Sequence, residues 1–209
     1  MITAKNFFSE AEQQQIEAAV REVEKTTSGE IVPMVVDASY DYPRAEMIGA
    51  GTLSLATAIF ISWAFGGESI WVFLPLFLFG YPLLLLLIRN LPDFKRRLIH
   101  PDEIDAEVKE KALVSFVEQG LHKTRDSTGI LILISLFEHR VQVLADEGIN
   151  AKVPAETWDA LVKDVAGGIK DGTACEALCR EIRACGALLA EHFPVRDDDT
   201  DEQPNLIIE

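Results

Sequence analysis

MIGAGTLSLATAIFISWAF, residues 47–65, and IWVFLPLFLFGYPLLLLLI, residues 70–88, flank the four-residue break Gly66-Gly67-Glu68-Ser69, and neither run contains a charge. Each is 19 residues long, close to the ~20 that a helix rising about 1.5 Å per residue needs to cross a hydrocarbon layer of roughly 30 Å. A helix satisfies its own backbone hydrogen bonds, so two helices joined by a short polar turn are the form such a pair takes in lipid. Pro75 and Pro82 kink the second helix without forbidding it. The pattern predicts a transmembrane hairpin set inside a chain whose two flanks look soluble, the alternatives being a buried hairpin of a soluble protein or a re-entrant pair that does not reach the far side.

Charges beside the runs set the expected orientation. Arg89, Lys95, Arg96 and Arg97 follow the second run, Arg44 precedes the first, and the connecting turn holds only Glu68. Basic residues are retained on the cytoplasmic side. Both termini and the soluble part are therefore expected in the cytoplasm, at the plasma (inner) membrane. Met1 to Gln15 is polar and acidic apart from Phe7-Phe8, unlike the basic, apolar and small-residue order of an export signal.

The chain has 209 residues and a formal net charge of −15, with 34 Asp and Glu against 19 Lys and Arg. Outside the apolar pair there is material for one ordinary core. A surface this acidic offers no basic stripe to displace phosphate counterions, which excludes nucleic acid as a partner. Lys95-Arg96-Arg97 is the cationic patch, and its expected partner is the lipid bilayer, at ~1 kcal/mol per base near anionic headgroups. Cys175, Cys179 and Cys185 share one predicted helix, where Leu178, Ile182 and Leu189 complete an apolar stripe with Cys175 and Cys185. They are expected to pack as core residues in a reducing compartment.

Working outward from the hairpin, Ser9-Glu10-Ala11-Glu12 has the spacing of a capping box, and Ile16, Ala19, Val20 and Val23 follow at helical intervals. Thr27-Ser28-Gly29 is expected to stop that helix, with Gly29 as a left-handed cap. Residues 31–36 read as a buried strand, placed near an edge because Pro33 lacks a donor. A helix is predicted over 102–120, with Ile104, Val108, Ala112 and Phe116 on one stripe. Residues 130–136 read as a strand buried on both faces, and 140–145 as its antiparallel partner. Trp158, Leu161, Val162, Val165 and Ile169 mark an amphipathic helix, and Gly172 separates it from the cysteine helix over 173–192. The order helix, strand, apolar pair, helix, strand, strand, helix, helix predicts an α/β unit of two or three layers around a small mixed sheet, with the first two strands parallel. The predicted domains are 1–39 with 101–194, an inserted hairpin over 40–100, and a solvated acidic tail over 195–209.

No Walker loop, dinucleotide fingerprint, zinc-protease helix or nucleophile elbow occurs. The remaining candidates stand at strand ends. With two parallel strands and a reversed third, Glu30, Asp126, Asp146 and Glu147 fall at one end of the sheet, and Asp37, Glu138, His139 and Arg140 at the other. Carboxylates converging at one edge could hold Ca2+ or Mg2+ through hard oxygen ligands, or share a proton. The same residues are also what a solvated edge of an acidic protein carries, and a Glu138 and Arg140 pair can be a plain turn ion pair of ~0.2–1 kcal/mol.

TRDSTGILILISLFEHRVQVLADEGI (124–149), with FSEAE (8–12) and TSGEI (27–31), resembles the TPM domain, a family with thylakoid-lumen, photosystem II repair and bacterial membrane proteins. The resemblance implies an α/β sandwich and marks Gly129, Glu138, Arg140 and Gly148 as family-pattern positions. It also implies a phosphatase-like label, since acid phosphatase activity is attributed to a plant member. In this chain the hairpin interrupts the domain, as in a bacterial subgroup. Two functions are compatible with these features. One is a non-enzymatic accessory factor in the assembly, maintenance or modulation of other membrane proteins, with Gly49, Gly51 and Ser54 free to pack a neighbouring helix. The other is a membrane-tethered acid phosphatase or phosphohydrolase using the carboxylate cluster and a divalent metal.

Overall fold

Two apolar stretches of seven residues, β1 (Glu30–Val36) and β2 (Gly129–Ser135), are buried along their whole length and pair in parallel, with Glu30 opposite Gly129 and Val36 opposite Ser135. Burial on both faces is what a continuous Ile, Leu and Val run requires. β3 (Arg140–Ala145) returns antiparallel to β2, Ser135 facing Arg140 and Ile130 facing Ala145. A two-residue strand, β4 (Ile207–Ile208), lies parallel to the other edge of β1, giving a mixed sheet in the order β3-β2-β1-β4. The computed structural model describes residues 3–66, 69–124, 127–195 and 204–209. It divides into two units, Met1–Ser39 with Asp105–Glu209, and Tyr40–Ile104.

In the first unit, alternate residues of each strand point to opposite faces. Ile31, Val35, Ile130, Ile132, Ile134, Val141 and Val143 join one core with three helices, α2 (Glu10–Glu24), α8 (Ala155–Asp171) and α9 (Ala174–His192). α2 begins with the capping box, the Ser9 amide reaching Glu12 Oε2 at 2.8 Å, and buries Ile16, Ala19, Val20 and Val23. Ahead of it stands the short α1 (Ala4–Phe7). On the opposite face Val32, Met34, Leu131 and Leu133 are also buried. There α6 (Pro101–Glu118) turns in Val108, Ala112 and Phe116, and it is tied to the sheet by Asp105 to Arg140 at 2.7 Å and by Lys111 to Glu209 at 2.9 Å. The unit therefore has three layers.

One expectation is met and two are corrected. β1 lies near an edge, as Pro33 suggested, next to the two-residue edge strand β4 on the side away from β2. The Glu30 amide points to β2, reaching the Thr128 carbonyl, so by alternation the position of the missing Pro33 amide faces β4, where pairing begins only at Met34. No ladder bond is lost. Gly29 is not a left-handed cap, since the positive-φ glycines among the described residues are Gly120 and Gly172; smallness is what counts there, because a Cβ on Gly29 would come 2.8 Å from Leu189 Cδ1. The stretch assigned to an acidic tail ends in structure, with β4 bonded through the Glu209 amide to the Val35 carbonyl at 2.9 Å. Residues 196–203 lie outside the described residues.

The second unit holds α3 (Pro43–Ile61), a π-helical turn (Ser62–Gly66), α4 (Ile70–Asn90) and α5 (Pro92–Arg97). α3 and α4 are antiparallel: Gly49 lies against Ile88, while further along α3 Ser54 lies against Gly80. Their seam is a row of small residues every four positions, Ala50, Ser54, Ala58 and Ser62, all buried. The Ser54 hydroxyl donates to the Phe77 carbonyl at 3.1 Å. Gly49 and Ser54, expected to pack a neighbouring helix, pack α4 within the pair, and a Cβ on Gly49 would meet Leu98 at 2.7 Å.

Candidate functional site

The amino end of β1 and β2 carries the candidate carboxylates. Glu30 lies opposite Gly129, and the Asp146 amide donates to the Gly129 carbonyl at 2.9 Å, so Glu30, Gly129 and Asp146 form one row across three strands. By alternation Glu30 and Asp146 share a sheet face, with backbones two strand spacings, or about 10 Å, apart. Between them a 3-10 turn, Leu121–Lys123, sits directly on Gly129, where a Cβ would be 2.6 Å from the Leu121 carbonyl oxygen. Leu121 is fully buried. This explains Gly129: it is the residue that lets the turn close the end of the sheet.

Asp146 caps α7 (Glu147–Asn150), its Oδ1 accepting the Glu147 amide at 2.8 Å, while its Oδ2 is buried and makes no hydrogen bond. Glu147 is exposed, and Gly148 lies inside the α7 turn. Asp126 lies outside the described residues. Among the described residues no three His, Cys, Asp or Glu side chains stand together as a metal-binding group.

At the carboxyl end the polar groups do assemble. Glu138 is 1% exposed, in the turn from Leu136 to His139 that joins β2 to β3. Its Oε1 accepts the Ser39 amide at 2.9 Å and its Oε2 accepts the Ser135 hydroxyl. The Ser39 hydroxyl in turn donates to Ser135 Oγ at 3.0 Å. Asp37, beside it, accepts the Ala4 amide at 2.5 Å through Oδ1. Arg140 reaches Asp105 on α6. The Glu138 and Arg140 positions are thus attachments to two other segments, the exit of β1 and the start of α6. Sequence reasoning named Glu138 but missed Ser39 and Ser135; a serine closing an otherwise aliphatic strand was the available signal.

A third polar cluster lies within the helix pair. Glu46, 5% exposed, accepts from Lys95 Nζ at 2.6 Å and from Arg89 at 3.1 Å, and Lys95 also donates to the Asp41 carbonyl at 2.7 Å. One acid thereby engages two of the bases that flank the apolar runs.

The three cysteines of α9 are free and buried. Burial pushes Cys175 up to about 12, helped by the adjacent Cys179, and Cys185 up to about 12, helped by Glu181; Cys179 is raised by burial as well. All three belong to the core that packs the sheet against α2, α8 and α9, as expected of them.

No family model and no curated protein matches the chain. Its structure is similar to the NMR structure of BA42 protein from the psychrophilic bacterium Bizionia argentinensis, with a TM-score of 0.58 and 22% sequence identity over 97% of this chain and 94% of that one. At that identity the likeness speaks for the fold alone.

Proposed function

We propose that this chain is a membrane-anchored α/β protein of TPM type, in which residues 47–65 and 70–88 cross the bilayer as a hairpin. The mixed α/β unit then acts from the cytoplasmic face as an accessory factor in the assembly, maintenance or modulation of other membrane proteins. One observation carries the anchoring. Two helices long and apolar enough to cross a membrane leave their large side chains uncovered, with Trp71 81%, Phe79 72% and Leu83 68% exposed. The core helix of a soluble protein would bury them, and an apolar surface of this extent in water is unstable unless something covers it. Trp63 and Trp71 stand at the connection and the bases at the opposite end, the distribution that suits two membrane interfaces.

The accessory role is supported by what the polar residues do: Glu138, Arg140 and Asp37 tie segments of the fold together. Alkaline extraction of native membranes tests the anchor, with the chain expected in the pellet. Reporter fusions after residue 209 and within residues 66–69 test the orientation, with the first expected inside and the second outside. An extractable protein or an external C-terminal reporter overturns the corresponding part.

A divalent-metal phosphohydrolase is favoured by one observation, the buried Oδ2 of Asp146 without a hydrogen bond on the face it shares with Glu30. Calcium or magnesium would then raise the melting temperature, Asp146→Asn would remove the rise, and Asp37→Asn would keep it. Phosphate-monoester hydrolysis with and without those ions separates the two readings.

A further inference from the structure

The bases around the helix pair fall into two classes, and the division points to a ligand. Glu46 holds both Arg89 and Lys95; Lys95 is largely covered, while Arg89 is exposed but paired to that buried acid. Arg44 in the first turn of α3 and Arg97 at the end of α5 are exposed, and Arg96 is partly exposed beside the exposed Asp93 at 3.6 Å. Leu91, Phe94 and Leu98 alternate with these arginines and are exposed too. A short segment that shows arginines and large apolar side chains together matches the boundary between headgroups and acyl chains.

We infer that Arg44, Arg96 and Arg97, with Leu91, Phe94 and Leu98, form a docking surface for the phosphate groups of an anionic lipid bilayer, while Arg89 and Lys95 are engaged by Glu46. The inference rests on the anchored reading above. Charge complementarity gives it a purpose. Residues outside 40–104 carry 28 Asp and Glu against 14 Lys and Arg, and this unit is joined to the helix pair at both Ser39 and Asp105. An anionic leaflet repels such a unit. Arginines at the base of the pair, able to bind phosphate through two parallel donors, offset that repulsion at the point where the chain enters the membrane.

The test uses the full chain reconstituted in vesicles of phosphatidylcholine mixed with phosphatidylglycerol, and reads the preference for spin-labelled phosphatidylglycerol over spin-labelled phosphatidylcholine at the protein surface. The native chain should prefer the anionic lipid at low salt and lose the preference as salt rises. Arg96→Gln and Arg97→Gln should each cut the preference by about fivefold, the equivalent of ~1 kcal/mol per base, and Arg44→Gln should act in the same direction. Arg89→Gln should leave the preference in place. No preference in the native chain at low salt, or an equal loss from Arg89→Gln, overturns the inference. A chain that fails to insert in any vesicle defeats the anchored reading instead.

Discussion

The backbone amide of Ser39 donates to Oε1 of Glu138 at 2.9 Å, across 99 positions of sequence. Glu138 thereby ties the β2–β3 turn to the last residue of the α/β unit before the helix pair, and it accepts the Ser135 hydroxyl with its other oxygen. A buried side chain with each oxygen occupied is a fixed strut, since removing it strands the buried Ser135 hydroxyl and frees the half-buried Ser39 amide.

Glu138→Ala is expected to destabilise the fold by about 1–3 kcal/mol, the cost of leaving buried partners unpaired. Glu138→Gln should cost less, because its carbonyl oxygen still accepts the Ser39 amide. Thermal melts of the two variants beside the native chain check the order, and equal melting for all three would remove the strut.

Lys95→Met should weaken the helix pair more than Arg89→Met. Lys95 Nζ lies 2.6 Å from Glu46 with both side chains largely buried, whereas Arg89 is 66% exposed. Losing the largely buried Lys95 leaves Glu46 with the exposed Arg89 as its ion-pair partner, so its cost should exceed the ~1 kcal/mol or less expected for losing Arg89 itself. Melting in detergent, followed by near-ultraviolet circular dichroism, measures both.

At Gly129 an added methyl meets backbone, which cannot step aside as a flexible side chain would. Gly129→Ala should therefore lose about 1–3 kcal/mol by displacing Leu121, and chemical denaturation of the native chain and the variant is the measurement. A neutral result would mean that the turn at Leu121–Lys123 moves freely.

Alkylation of Cys175 and Cys185 should be slow at neutral pH in the folded chain and fast once it is unfolded. Burial raises both thiols to about 12, above the ~8.5 of a free cysteine. The folded form then keeps protons that the unfolded chain releases. Stability from this source is full below about pH 8.5 and is lost as pH rises toward about 12. Mass-spectrometric labelling against pH reads the first effect, and alkaline melting reads the second.

Replacing residues 44–95 with a short flexible linker should leave a folded soluble protein, because the core joining the sheet to α2, α8 and α9 draws on no residue of that segment. A disordered far-ultraviolet spectrum would contradict this.

Short-range physics made much of the chain legible in its sequence. The lengths of the two apolar runs, the Ser9 to Glu12 cap, the stripes of α2, α6, α8 and α9 and the β2–β3 pairing all depend on residues a few positions apart, and local periodicity reports them directly. What needed the tertiary structure involves partners far away in sequence. The return of residues 207–209 to β1 is one such case, and the acidic stretch before them gives no sign of it. Glu138 and Arg140 read as a candidate turn ion pair with each other, whereas the fold brings Ser39 to one and Asp105 to the other. Glu30 and Asp146 reached the same end of the sheet as expected, yet the buried Leu121 lies over the Gly129 between them. Periodicity tells which face of an element is apolar; which other segment covers that face, and so which polar group finds a partner, depends on the packing of the whole chain.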